Sequence, residues 1–122
     1  MKVAIASLGR SLTDFVCGSF RNAPYFAIVE VENGEIKSVE YIVNNFTRGP
    51  MACLAIARVL KAKGVKYAIA GNFGRGCSQI LRQHGIIPLV SFDTIKDAAI
   101  KAEKGELPEF VFFRGRHGRR WM

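Results

Sequence analysis

The chain has 122 residues, close to the size of one domain, and 49% of them are hydrophobic, enough for a core without disulfide staples. No apolar run approaches the ~20 residues of a membrane-crossing helix, and Met1–Ser7 lacks the basic, long apolar and small-residue regions of a secretory signal, so a cytoplasmic protein with no membrane partner is expected. The net charge of +8 suits an anionic partner, although Arg114, Arg116, Arg119 and Arg120 put half of that excess into the last nine residues.

Val3–Ser7 reads as a buried strand ended by Leu8-Gly9-Arg10, and residues 11–23, which have no strong period, read as a long loop. Pro24 opens a second strand, Tyr25–Val31. Glu32-Asn33-Gly34-Glu35 carries the Asn-Gly hairpin signal, and Ile36–Val43 returns. In that return strand Val39, Tyr41 and Val43 alternate with Ser38 and Glu40, while Ile36 and Ile42 break the pattern. Pro50 suits the first position of a helix that runs to about Lys63 and stops at Gly64. Lys66–Ala70 is the next strand, and Gly71-Asn72-Phe73-Gly74-Arg75-Gly76 is a glycine turn into a helix ending near His84-Gly85. Ile86–Val90 is a short strand that Pro88 assigns to an edge. Asp93 or Thr94 caps the last helix, Thr94 and Asp97 resembling a capping box; its apolar face is Ile95, Ala98, Ala99 and Ala102, and Gly105 ends it. Residues 1–113 are expected to form one domain and 114–122 a basic, disordered tail.

This order predicts an α/β fold, a three-layer α/β/α sandwich with a mixed five-stranded sheet in which the strand at 25–31 runs against the others. The loops after the first, third, fourth and fifth strands then leave at one carboxyl edge, where open α/β sheets bind ligands.

The cysteines Cys17, Cys53 and Cys77 fall on or just beyond those edge loops. In a reducing cytoplasm they are expected as free thiols or metal ligands instead of disulfide partners. Cys53 and Cys77 sit in first helical turns, where the helix dipole favours the thiolate that binds zinc, copper(I) or iron–sulfur clusters. The competing reading is core filler: Cys53 shares a face with Ile56, Ala57 and Leu60, and Cys77 shares one with Ile80, Leu81 and His84. Three cysteines fall short of a four-thiolate set, and His84 is too far along its helix to complete it, so a dimer-shared site or an open coordination position would be needed. Gly71, Asn72, Gly74 and Gly76 can offer backbone amides to an anion, with Arg48 and Arg75 beside them. The turn lacks the ending of a P-loop and the spacing of a dinucleotide fingerprint, and its glycines alternatively serve a turn with positive φ. Asp14, Asp93 and Asp97 are scattered, and the histidines are His84 and His117 alone, so no catalytic constellation is visible and a non-enzymatic role is expected.

Phe20-Arg-Asn-Ala-Pro-Tyr-Phe26, Ala70-Gly-Asn-Phe-Gly74 and Lys2-Val-Ala-Ile-Ala6 together resemble the dinitrogenase iron–molybdenum cofactor biosynthesis family, over about residues 1–107. The resemblance implies a ribonuclease H-like fold without nuclease activity. It also implies carriage or assembly of an iron–sulfur or molybdenum–iron–sulfur cluster, with a cofactor-assembly or acceptor protein as partner. Many relatives carry a His-Gly pair near the start of the first helix. Here Arg48-Gly49-Pro50-Met51-Ala52-Cys53 stands instead, so either Cys53 replaces a ligand or no such cluster binds. Two other functions stay open: a nucleic-acid-associated module using the arginine tail and Trp121, and an anion- or nucleotide-binding domain without metal built on Gly71–Gly76.

Overall fold

A computed structural model describes residues 1–46, 49 and 51–111. The first strand, β1 (Lys2–Ser7), is followed by β2 (Tyr25–Glu32) and β3 (Glu35–Val43). Then come α1 (Ala52–Ala62), β4 (Tyr67–Ala70), α2 (Arg75–Gln83), β5 (Ile87–Val90) and α3 (Ile95–Glu103). The sheet has five strands in the order β3-β2-β1-β4-β5. As expected, β2 is antiparallel to β1 and β3, whereas β1, β4 and β5 are parallel. Pro88 lies on the edge strand, where its missing N–H costs no ladder bond; its carbonyl accepts from Phe110 N–H.

The hairpin turn follows from Asn33 and Gly34, which both have positive φ, at 54° and 76°. The broken alternation in β3 has a physical cause in register. Glu30 pairs with Ser38 but Val31 pairs with Ile36, so one residue of β3 is extra at that point. The bulge turns Ile36 onto the same face as Tyr41, and both pack under α3, while Ile42 packs on the opposite face.

The sheet separates two apolar layers. Val3, Ile5, Ala27, Val29, Ile69 and Leu89 meet Ile95, Ala98, Ala99 and Ala102 of α3. On the other face Ala4, Ala6, Ala68 and Ala70 leave room for α1 and α2, which contribute Ile56, Leu60 and Leu81, and for a run of aromatic rings. Phe20 lies 5.0 Å from Phe26 and 5.1 Å from Phe73 between ring centroids, fixing the loop after β1 to the loop after β4. Helix α3 is capped by the Thr94 hydroxyl, which accepts from Asp97 N–H. Gly64, Gly85 and Gly105 follow the three described helices with positive φ.

The glycine turn departs from expectation. None of Gly71, Gly74 and Gly76 has positive φ. Gly71 is required by proximity: a Cβ there would stand 2.6 Å from the Phe92 ring and 2.9 Å from Gly18 Cα. Gly71→Ala should therefore cost about 2 kcal/mol by overpacking, whereas Gly18→Ala, whose Cβ would meet nothing within 4 Å, should stay within about 0.5 kcal/mol. Urea titration of both variants checks this; equal stabilities would contradict it.

Candidate functional site

Both α1 and α2 begin at the carboxyl edge of the sheet. A helix leaves its first N–H groups without intrahelical acceptors and concentrates partial positive charge there. Neither N-cap residue, Met51 or Gly74, accepts a side-chain cap hydrogen bond, and neither first turn contains an acidic residue. Among the described residues, the two helix starts thus lie side by side with no N-cap side chain and no first-turn carboxylate to offset their positive ends.

Between them lies a cleft of about 320 Å³ lined by Arg21, Gly49, Cys53, Gly74, Gly76 and Cys77, with Ile80 beneath. In it the Sγ atoms of Cys53 and Cys77 are joined in a disulfide, with Cα atoms 5.3 Å apart. The expectation of free thiols fails for this pair. Each cysteine lies in a first turn, and packing of α1 beside α2 on one sheet face brings those turns within the span of a disulfide. Sequence spacing does not reveal that approach.

Arg21 fixes one wall. Its Nη2 donates to the Gly49 carbonyl at 2.7 Å, tying the loop after β1 to the segment before α1. Asn44 Nδ2 in turn donates to the Arg21 and Ala23 carbonyls at 2.9 and 2.8 Å. A neighbouring cleft of about 250 Å³ shares Arg21 and extends to Pro24, Phe46 and Ile56.

Cys17 is a free, buried cysteine in the same apolar layer. Its N–H donates to the Ala6 carbonyl at 2.7 Å, and its carbonyl accepts from Gly71 N–H at 3.0 Å. Among the described residues no group of three His, Cys, Asp or Glu side chains stands together as a metal site. The structure therefore unites Cys53 and Cys77 but does not add Cys17 to them as a third ligand. The Asn72 carbonyl accepts from Phe20 N–H, so part of the glycine turn serves the loop contact. Gly74 and Gly76 line the cleft with the cysteines, while Arg75 lines a different one, beside Ser78, Arg82, Glu109 and Phe110. His84 closes the far end of α2, its Nδ1 2.9 Å from the Ile80 carbonyl. Arg48 and the tail arginines Arg114, Arg116, Arg119 and Arg120 lie outside the described residues.

Sequence reasoning did not single out Arg21. The signal lay in its position, directly before Asn22-Ala23-Pro24, at the turn that returns the first loop to the sheet.

The disulfide spans a sequence separation of 24, for which chain entropy gives about 3.5 kcal/mol. Reduction with dithiothreitol should lower the unfolding free energy by about that amount, and Cys17→Ser should show the same loss. Equal stability with and without reductant would contradict the cross-link.

The model of the family described as dinitrogenase iron-molybdenum cofactor matches residues 1–105. A NifB-like protein from Thermotoga, solved by NMR, is 31% identical over 93% of this chain and 97% of its own, with a TM-score of 0.71. The apo form of the orange protein from Desulfovibrio gigas has a TM-score of 0.78 at 24% identity, covering 90% of this chain and 92% of that one. A dinitrogenase-like protein from Methanocaldococcus jannaschii has a TM-score of 0.65 at 24% identity, covering 91% and 95% respectively. The last two likenesses establish a shared fold. No curated protein matches the chain.

Proposed function

Because the chain belongs to the dinitrogenase iron-molybdenum cofactor family, we propose that it binds and carries, or helps assemble, a metal–sulfur cluster as cargo in the cytoplasm, without itself catalysing a reaction. The observation that carries this reading is the cleft in which two helix starts without acidic first-turn residues, Arg21 and the Cys53–Cys77 pair converge.

The chemistry of these groups suits an anionic, sulfide-rich cluster. Helix-start N–H groups and a guanidinium offer hydrogen bonds and positive potential to its outer sulfides. Thiolates, once present, are soft ligands for iron. The exposed Gly74 and Gly76 add no side chain, so a bulky anion could approach the backbone of α2 closely. A carrier also needs a donor and an acceptor, so the partners would be cofactor-assembly proteins that share access to the same edge.

Anaerobic incubation of dithiol-reduced protein with ferrous iron and sulfide, followed by desalting, metal and sulfide analysis and visible spectroscopy, tests the reading. A retained visible chromophore with iron and sulfide is expected. Arg21→Ala should retain about tenfold less, the loss of one charge-assisted contact, with its melting transition recorded to show that it folds. A colourless, metal-free protein would overturn the reading.

A further inference from the structure

The disulfide lies in the cleft that would receive the cargo, and this has a chemical consequence. Two sulfurs bonded to each other cannot serve as thiolate ligands. Oxidation therefore removes the softest donors in the cleft and ties the first turn of α1 to that of α2. Both cysteines are largely buried, at 7% and 6% exposure, yet both line an open cleft, so a thiol has a route to them that the apolar layer beneath does not provide.

The surroundings favour exchange. Each sulfur leaves as a thiolate at a helix N-terminus, where the dipole stabilises it. No acidic residue in either first turn opposes that charge. Disulfides that form in reducing compartments are usually transient and catalytic or redox-sensing.

We propose that Cys53 and Cys77 form a reversible dithiol–disulfide couple, opened by a dithiol reductant, and that opening it admits the metal–sulfur cluster to the cleft. The second half of this proposal rests on the carrier reading above. In the opening step a reductant thiolate attacks one sulfur of the pair, forming a mixed disulfide and releasing the other as a thiolate. The second reductant thiol, deprotonated, attacks the mixed disulfide and frees the remaining cysteine. The reductant leaves as its own disulfide, two electrons have passed to the protein, and the two reductant protons are shared between the cysteines and solvent. The reduced cleft then holds two thiol groups, able to bind iron as thiolates, beside Arg21 and the α1 and α2 starts. Closing it again, with the cluster gone, needs a disulfide oxidant of the same class.

The test uses the full chain, held anaerobically in mixtures of reduced and oxidised dithiothreitol, alkylated and mapped by mass spectrometry. Cys53 and Cys77 should become modifiable together along one two-electron curve and re-form their bond when the mixture is reversed. Independent modification, or failure to re-form, overturns the couple. Fully oxidised and fully reduced samples are then offered ferrous iron and sulfide, the oxidised sample under conditions in which alkylation shows its bond intact. At least tenfold more iron and sulfide retained by the reduced form supports the gate. Equal retention overturns the gate and leaves the carrier reading standing. No retention by either form, alongside a reversible couple, overturns the carrier reading and the gate together. Cys17→Ser should keep the redox dependence; its loss in that variant would move the switch away from the Cys53–Cys77 pair and overturn the proposal.

Discussion

Ala4 and Ala6 on β1, with Ala68 and Ala70 on β4, carry too little side chain to fill the layer above the central strands. Ala4 and Ala68 stand in register across the parallel pair, so the shallow floor is continuous. Close packing forbids leaving such a space empty. It is filled by Ile56 and Leu60 of α1 and Leu81 of α2 from above, and by the Phe20, Phe26 and Phe73 rings toward the carboxyl edge. That packing sets α1 beside α2, and their side-by-side starts are what the candidate site is made of. The larger Val3, Ile5 and Ile69 point to the opposite face, where one helix suffices.

The site follows from this arrangement with few added groups. Parallel crossovers place the starts of both helices at the same edge. Neither first turn contains an acidic residue to offset the positive end of its helix. Arg21 reaches in from the loop after β1 and holds Gly49. Cys53 and Cys77 lie in the first turns of the two helices: bonded, they staple the layer; reduced, they would line the cleft with soft sulfur donors. One geometry thus supports both a stability role and a redox-dependent binding role, and the two differ by a pair of electrons and the protons that the cysteines take up.

Much of the fold is legible in the sequence because its signals are local. Asn33-Gly34 marks the hairpin, Gly64, Gly85 and Gly105 end helices, Pro88 marks an edge strand, and Thr94 caps α3. The carboxyl edge is legible too, since it follows from element order. What stays hidden is set by contacts between distant segments. The Cys53–Cys77 bond depends on an approach of 5.3 Å between two helices that no spacing encodes. Gly71 is needed because Phe92 and Gly18 crowd it, not because its φ is positive. The bulge in β3 left a trace, the misplaced Ile36, but its position required the register with β2. Arg21 was invisible as a wall of the site because its loop has no periodic pattern to place it.

The central claim is that the starts of α1 and α2 form a seat for an anionic metal–sulfur group. The most direct measurement is amide chemical-shift mapping of reduced, isotopically labelled protein titrated with tetrathiomolybdate, a diamagnetic metal–sulfur anion. Saturable shifts concentrated at Cys53, Gly74, Gly76 and Cys77, with the α3 face unchanged, are the predicted result. Shifts centred on α3 or spread without saturation, or none at all, would contradict it.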